Sequence, residues 1–459
     1  MNFDQIRYVY FLGIGGIGMS ALARYFLHVG KSVSGYDKTS TALTDALSNE
    51  GMQIHFEEDL SYVQKLENHK SETLVVFTPA VPSNHLELKY LESNSFTIKK
   101  RAEVLGIIAN HGKCIGIAGT HGKTTTTTMT AHILKQSSLD CSAFLGGISK
   151  NYGSNLLLSE KGNNIVVEAD EFDRSFLHLK PFCAVITSVD PDHLDIYADK
   201  SHFQDAFTKF TSNISNKGFL VVKYGLEFPI SYSGTIYSYG IDKGDFHAEN
   251  LKLQDGLYVF DVITPDSKIE SVKLGLAGTI NVENALAAIA LAYNLGVTKE
   301  EIKGSLSNFK GAKRRLDFQV GNSGSAHSVY IDDYAHHPEE IKACLTSVKN
   351  IFPKRKLTGV FQPHLYTRTR DFYTEFAKSL SLLDEVILLD IYPAREEPIE
   401  GITSKVILDL ITSKQKILLT KSELINYLEI NKSDVLLTMG AGDIDKFVAP
   451  IKLLIESRL

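Results

Sequence analysis

Short apolar runs alternate with amphipathic helical stretches along most of the chain. This alternation is typical of βαβ units, in which crossover helices join parallel strands. The pattern starts afresh at two later points, near Cys114 and near Val329, so the chain holds three such runs. The sequence therefore predicts three consecutive open-sheet α/β domains, with boundaries that give residues 1–110, 111–314 and 315–459. Within the second domain, residues 219–275 alternate more loosely, and we expect an antiparallel insertion there.

A glycine- and threonine-rich turn separates the first strand of the second domain from a long helix. Its residues, Gly119-Thr120-His121-Gly122-Lys123-Thr124, would point backbone N–H groups and a helix N-terminus at an anion. Lys123 would reach the β- and γ-phosphates, and the Thr124 hydroxyl would bind Mg²⁺. Thr124–Thr128 are poor helix formers, which argues against a purely structural turn. The motif favours a P-loop-ATPase-like central domain.

Acidic residues follow the next two strands of the same domain. Glu168 begins an acidic run that ends at Glu171, and Asp192-His193 follow the next strand. Carboxyl ends of parallel strands form the ligand side of an open sheet. Carboxylate oxygens suit Mg²⁺, and an imidazole can complete such a site. These clusters predict a metal site, although N-capping acids and a surface histidine would look the same.

The N-terminal glycines fit the spacing of a dinucleotide-binding turn. The turn follows the first strand, and Asp37 ends the next one, so the first domain is expected to be Rossmann-like. The motif alone indicates a nucleotide phosphate without saying which nucleotide, and tight packing of helix on strand would also explain it. The glycines are Gly13, Gly15, Gly16 and Gly18.

Polar residues end two neighbouring strands of the third domain, which is also predicted to be Rossmann-like. Asp333, Tyr334 and His336 follow one strand, and Arg368 and Arg370 lie shortly after the other. We expect them to meet in one crevice, where arginine suits a carboxylate or a phosphate. A solvated rim is the plain alternative.

The composition argues against several classes of protein but does not identify a function. The 459 residues carry a net charge of −6, which suggests neither a nucleic-acid partner nor a membrane surface. No apolar run reaches the roughly 18 residues of a spanning helix. The four cysteines are scattered and do not have a metal-binding spacing. We expect a cytoplasmic protein with reduced thiols.

Taken together, the motifs resemble the Mur ligases, the ATP-dependent amide-bond ligases of peptidoglycan precursor synthesis. The resemblance extends over the whole chain in the family's order. It rests on Gly119–Thr124, Glu168–Glu171, Asp192-His193, Asn281 with Asn284, Arg315, Asp333–His336, Ser175–Leu179, Phe361–His364 and Tyr392–Glu396.

The resemblance implies ATP as co-substrate and Mg²⁺ as cofactor, with two metal ions expected. The N-terminal glycine run, Ser175–Leu179, Phe361–His364 and Tyr392–Glu396 narrow the resemblance. They imply a ligase that joins L-alanine to the carboxylate of UDP-N-acetylmuramate through an acyl phosphate, acting as monomer or dimer. The alternative within the family is a recycling ligase that joins the tripeptide L-Ala-γ-D-Glu-diaminopimelate to the same acceptor.

The resemblance also assigns roles residue by residue. The implied catalytic residues are Lys123, Glu168, His193, Arg315 and His336, with His336 as candidate base. Those implied for ATP are Gly119, Thr120, His121, Gly122, Lys123, Thr124, Thr125, Asn281, Asn284, Arg315 and Asp333. The implied metal ligands are Thr124, Glu168 and His193. Those for the UDP substrate are Gly13, Gly15, Gly16, Gly18 and Asp37, and those for the amino acid are Tyr334, His336, Arg368 and Arg370.

Two other classes stay open on the sequence alone. A nicotinamide-dependent dehydrogenase would use the N-terminal glycines and Asp37, but it leaves the second loop and its acids unexplained. A P-loop NTPase switch would hydrolyse ATP without an amino acid, and it would not need a complete third domain.

Overall fold

The computed structural model describes residues 3–190, 197, 200–394 and 396–459. Packing divides the chain into two compact units. The first comprises residues 1–247, 263–267 and 286–305, and the second 248–262, 268–285 and 306–459. In the described part of the chain, no helix is long and apolar enough to cross a membrane.

The first unit begins with a five-stranded, wholly parallel sheet in the order β3-β2-β1-β4-β5. The order reverses between β1 and β4, which is where open α/β sheets bind ligands. The two central strands, β1 and β4, are apolar and mostly buried, as expected where helices cover both faces of a parallel sheet. They are β1 Tyr8–Leu12, β2 Ser32–Tyr36, β3 Gln53–His55, β4 Thr73–Phe77 and β5 Thr97–Lys100. The helices are α1 Ile17–His28, α2 Ala42–Asn49, α3 Leu60–Gln64, α4 Leu86–Ser93 and α5 Arg101–Asn110.

The second sheet has ten strands in the order β15-β14-β13-β12-β11-β10-β6-β9-β7-β8. Its strands are β6 Lys113–Ala118, β7 Ser142–Phe144, β8 Leu156–Leu157, β9 Asn164–Ala169, β10 Cys183–Ile186, β11 Phe219–Lys223, β12 Thr235–Gly240, β13 Phe246–Gln254, β14 Leu257–Ile263 and β15 Lys268–Lys273. The helices that follow in the chain are α6 Lys123–Gln136, α7 Lys200–Ser212, α8 Thr279–Leu295 and α9 Lys299–Ser307.

The expectation of an antiparallel insertion over residues 219–275 is wrong for its first half. β11 pairs in parallel with β10, β12 with β11, and β13 with β12. The loose alternation misled because β12 is exposed over its first residues and buried at its end. A parallel strand far from the sheet centre can thus show the half-polar pattern usual for antiparallel strands.

The third sheet, in the second unit, has the order β16-β17-β21-β18-β19-β20. Only the edge strand β16 is antiparallel to its neighbour among the pairings described. Its strands are β16 Asp317–Val320, β17 Val329–Asp333, β18 Leu357–Phe361, β19 Glu385–Leu388, β20 Gln415–Leu418 and β21 Val435–Met439. The helices are α10 Pro338–Ile351, α11 Tyr366–Leu380, α12 Ser404–Leu410, α13 Lys421–Ile430 and α14 Val448–Glu456. The predicted class, three open-sheet α/β domains in succession, is confirmed.

Candidate active site

The loop between β6 and α6 has a backbone that only glycine adopts readily. Gly119 has φ +132° and Gly122 has φ +79°. A Cβ on Gly119 would lie 2.1 Å from the Thr187 Oγ1 atom and 2.8 Å from the backbone nitrogen of Ser188. Because side chains are excluded, the loop can present bare backbone at the N-terminus of α6, as phosphate binding requires.

Lys123 is the first residue of α6, and its ammonium is held by two carbonyls of its own loop and by a carboxylate that follows β9. Nζ donates to the carbonyl oxygens of Gly119 at 2.6 Å and Thr120 at 3.2 Å, and to Glu171 Oε1 at 2.9 Å. Burial alone would lower the pKa of Lys123, but Glu171, Asp170 and Glu168 raise it above its usual value. Lys123 is therefore a charged group held at the loop.

Glu168 lies near the end of β9 and faces the start of α6. Its Oε1 accepts a hydrogen bond from Thr124 Oγ1 at 3.1 Å, and its Oε2 accepts one from the Gly146 backbone N–H at 3.1 Å. A carboxylate and a hydroxyl at the mouth of a phosphate loop are hard oxygen donors, so this pair fits Mg²⁺. Asp192 and His193 lie outside the described residues, so the predicted histidine ligand stays a prediction. Within the described ranges, no three His, Cys, Asp or Glu side chains form a metal cluster.

Thr124–Thr128, the run of five threonines at the start of α6, are helical and buried, despite their low helix propensity. The Thr128 hydroxyl donates to the Thr124 carbonyl at 2.7 Å, a bond within the helix that satisfies it without solvent. Tertiary burial therefore outweighs propensity here.

The N-terminal glycine loop is braced from β2. The Gly13 and Ile14 N–H groups donate to the Tyr36 carbonyl, and the Gly15 N–H donates to Asp37 Oδ2 at 2.8 Å. Gly16 caps α1 without a side-chain hydrogen bond, so the helix N-terminus keeps its N–H groups for an anion. In this structure Asp37 holds the loop.

One cleft of the first unit joins this loop to Glu168. Its volume is about 280 Å³. The nucleotide turn and the candidate metal acid thus border the same space. The described residues lining the cleft include Gly16, Gly18, Thr78, Arg101, Phe144, Gly146, Glu168, Asp170, Phe172 and Ser175.

In the second unit, Asp333 fixes the loop that carries Arg315. Its Oδ2 accepts from the Leu316 N–H at 2.7 Å, and its Oδ1 accepts from the Ala335 N–H at 2.8 Å. Burial raises the pKa of Asp333 to about 6. The Arg315 guanidinium lies 5.2 Å from the centre of the Tyr334 ring and 3.9 Å from Glu340.

The predicted amino-acid residues separate into two environments. Arg368 is buried, and its Nη1 lies 3.3 Å from His364 Nδ1. The centre of the His336 ring lies 6.1 Å from the centre of the His364 ring, so these three side chains lie close to one another. Arg370 is half exposed and pairs with its neighbour Asp371 at 2.7 Å.

Asn281 and Asn284, predicted to contact the ATP base, lie one turn apart on α8. Both are buried, and Asn284 Nδ2 lies 3.3 Å from Asn281 Oδ1. Asn281 also donates to the Ala277 carbonyl at 2.6 Å. The pair is thus held by a bond between its two side chains and by one to the backbone just before α8.

Comparison with known families decides the classification. Three family models match in succession: the Mur ligase family catalytic domain over residues 8–113, the Mur ligase middle domain over 117–292, and the Mur ligase glutamate ligase domain over 314–442. The chain belongs to the Mur ligase family.

Relatives of this Mur ligase extend over its full length. A UDP-N-acetylmuramate–L-alanine ligase from Phocaeicola vulgatus is 52% identical over 98% of both chains. One of the same name from Porphyromonas gingivalis is 50% identical over 98% of this chain and 100% of that one. The crystal structure of a UDP-N-acetylmuramate–alanine ligase from Thermotoga maritima superposes with a TM-score of 0.83 at 28% identity, covering 98% and 100% of the two chains. A murein peptide ligase from Psychrobacter arcticus shares the fold, with a TM-score of 0.71 at 22% identity over 99% of both chains.

Sequence reasoning missed several residues of this Mur ligase site. Glu171 was seen only as part of an acidic run, yet it is the carboxylate that holds Lys123. Gly146 supplies an amide to Glu168, and nothing in its local sequence marks it. Arg314 donates to the buried Asp332 at 2.9 Å. The doubled Arg314-Arg315 and Asp332-Asp333 were the available signal for that ion pair.

Proposed function

We propose that this chain is an ATP-dependent ligase that joins L-alanine to the carboxylate of UDP-N-acetylmuramate. The observation that carries the proposal is the cleft in which the N-terminal glycine loop and Glu168 meet, with Thr124 bonded to that same acid. A ligase of this kind needs its acceptor carboxylate beside the ATP phosphates. Full-length relatives that carry this name support the choice.

The three domains take separate tasks in this proposal. Residues 1–110 hold the UDP-sugar, residues 111–314 hold ATP, and residues 315–459 hold the amino acid and complete the ATP site. This division follows the motifs: the glycine turn is in the first segment, the phosphate loop in the second, and Arg368 in the third.

The reaction has two bond-forming steps. The acceptor carboxylate attacks the γ-phosphorus of ATP, ADP leaves, and an acyl phosphate forms. The amine of L-alanine then attacks the acyl carbon, and the resulting tetrahedral intermediate expels phosphate. Because the acyl phosphate hydrolyses readily, water has to be excluded from the site while it exists.

Charge neutralisation is the main task of the residues around the phosphates. A carboxylate and a triphosphate repel, so Lys123 and the loop N–H groups must balance the charge as the phosphoryl group moves, with Arg315 adding to them. Thr124, Glu168 and the predicted His193 would hold Mg²⁺. When bound, the metal polarises the γ-phosphate, and two such ions are expected.

His336 is the proposed base for the alanine ammonium. Its Nδ1 lies 3.0 Å from the Tyr334 carbonyl oxygen, which can only accept, so Nδ1 carries the proton in the neutral ring. Nε2 is then the nitrogen that takes a proton. Glu340 Oε2, 3.3 Å from Nδ1, stabilises the imidazolium that forms.

Phosphate release measured with ATP, Mg²⁺, UDP-N-acetylmuramate and each of the twenty amino acids tests the proposal. We expect L-alanine to be the best substrate, serine and glycine to be used weakly, and the product mass to show one added residue. The Lys123→Met variant, purified in the same way, controls for a contaminating host ligase. Faster joining of L-Ala-γ-D-Glu-diaminopimelate than of L-alanine would replace the proposal with the recycling reaction.

A further inference from the structure

Arg101 is a cation in the cleft that the proposed mechanism leaves without a task. It is the first residue of α5, directly after the edge strand β5. Of the described residues that line the cleft, Arg101 alone is positively charged, whereas Glu168 and Asp170 are negative. Its side chain is 19% exposed, so it is accessible from the cleft yet largely enclosed.

The ion pair that Arg101 makes in this structure is loose. Its Nη2 lies 3.6 Å from Asp170 Oδ2, which is too long for a hydrogen bond. The preceding residue differs, because Lys100 Nζ donates to Asp173 Oδ2 at 2.9 Å and does not line the cleft. The guanidinium can therefore exchange Asp170 for a better acceptor, and an oxyanion that takes two parallel N–H bonds is such an acceptor.

Gly18, the last glycine of the N-terminal motif, makes room for this guanidinium. A Cβ on Gly18 would lie 2.8 Å from Arg101 Nη1 and 3.1 Å from its Cδ. The ordinary explanation of this glycine is close packing of helix on strand. Here the neighbour is the arginine side chain, so Arg101 lies against the first turn of α1, where phosphate binding is expected.

A nucleotide sugar brings negative charge into a cleft that already holds two carboxylates. We propose that Arg101 binds an oxyanion of this substrate, either its diphosphate or its sugar-linked carboxylate, in exchange for Asp170. The inference rests on the proposed function, because that function supplies the anionic nucleotide sugar.

Calorimetric binding of UDP-N-acetylmuramate, with Mg²⁺ and a non-hydrolysable ATP analogue present, tests the inference. Arg101→Gln, which keeps much of the aliphatic stem, should raise the Kd about 10- to 100-fold, as the loss of charged hydrogen bonds implies. Arg101→Lys should recover part of the lost affinity, since it restores the positive charge without the two parallel N–H donors of a guanidinium. Gly18→Ala should weaken binding in the same direction by displacing the guanidinium. Lys100→Ala is the matched control and should change the Kd less than about twofold.

The same titrations with UDP-N-acetylglucosamine, which lacks the carboxylate, identify the anion. If Arg101→Gln weakens the binding of both ligands equally, Arg101 binds the diphosphate. If it weakens the binding of UDP-N-acetylmuramate alone, Arg101 binds the carboxylate. An Arg101→Gln protein that melts like wild type and binds UDP-N-acetylmuramate as tightly overturns the inference. Wild-type protein that does not bind UDP-N-acetylmuramate overturns the proposed function instead.

Discussion

Acidic residues end central strands in both units of the molecule, but their partners differ. Glu168 in the first unit accepts one hydroxyl and one amide, and it borders an open cleft. Asp333 in the second unit is buried and accepts two backbone amides. The position of an acid at a strand end favours ligand binding. Its partners show whether its charge is available to a ligand or is used to fix a loop.

The loop that Asp332 and Asp333 fix has an unfavourable backbone. Arg314 has φ +60° and Leu316 has φ +43°, values that cost free energy for residues other than glycine. Asp332 accepts from Arg314 Nε at 2.9 Å and from the Thr438 hydroxyl at 2.7 Å. The two acids thus hold the turn from which Arg315 extends.

The largest effect in this comparison is expected at Glu168. Glu168→Ala removes a carboxylate from the Mg²⁺ site, and we expect turnover to fall about 1,000-fold or more, roughly 4 kcal/mol of transition-state stabilisation. Steady-state phosphate release over a range of Mg²⁺ concentrations measures it.

The control for Glu168 is an acid nearby in the chain that pairs at the surface. Asp173→Asn loses the charge that faces Lys100 and keeps a residue type that tolerates φ +50°. It should retain turnover within a few fold. Near-normal turnover of Glu168→Ala at ordinary Mg²⁺ would remove the metal assignment.

Asp333 should instead control stability, with a defined pH dependence. Its folded pKa of about 6 lies above the ordinary 3.8, so folding favours the protonated acid. The stabilisation is fully present below about pH 4 and is lost as the pH rises through 6, about 3 kcal/mol in all. The free energy of unfolding, measured with urea between pH 4 and 7, should fall by that amount in wild type relative to Asp333→Asn as the pH rises. Parallel pH profiles for the two proteins would contradict the assignment.

The sequence was enough to predict the three α/β domains, because the buried strands of a parallel sheet consist of consecutive apolar residues. Strand Val329–Asp333 is buried at every position, and the sequence placed the start of the third run near Val329. The pairing of residues 219–254 could not be derived, because partly solvated parallel and antiparallel strands alternate alike. Pairing direction is fixed by contacts between distant segments, which no local pattern records.

The candidate site was predictable where its chemistry lies in one local motif. The loop Gly119–Lys123 combines positive-φ glycines, a lysine and a helix start within a few residues, so its form follows from sequence. Glu171, Gly146 and Arg101 each contact a residue of another segment, and these contacts form only in the folded chain. Their roles depend on distances of 2.9, 3.1 and 3.6 Å between segments far apart in the chain, which periodicity cannot supply.

Cations of the second unit allow the same comparison with the charge reversed. Arg368 is buried beside His364, whereas the half-exposed Arg370 pairs with its neighbour Asp371. Arg368→Ala should raise the KM for L-alanine about 10- to 100-fold, as expected for a lost charged hydrogen bond, while UDP-N-acetylmuramate still binds. Arg370→Ala is the matched control, and we expect a change of less than about threefold. A larger increase of this KM in Arg370→Ala than in Arg368→Ala would show that the exposed arginine binds the carboxylate of L-alanine.

Asp37 extends the comparison to a third strand end, and the smallest effect is expected there. Asp37 accepts a hydrogen bond from the Gly15 N–H at 2.8 Å. Like Asp333, it therefore bonds to the backbone of a loop, although it lies in the first unit. A Cβ on Gly15 would lie 2.9 Å from Asp37 Oδ2 and 2.8 Å from Thr44 Cγ2, so Gly15→Val must displace that brace. We expect the KM for UDP-N-acetylmuramate to rise about 10-fold, roughly the free energy of one hydrogen bond, with the KM for ATP within about twofold. Asp37→Asn keeps an oxygen that can accept the same N–H and should therefore have the milder effect. Equal increases of both KM values in Gly15→Val would show that the two nucleotides are not divided between the two glycine loops.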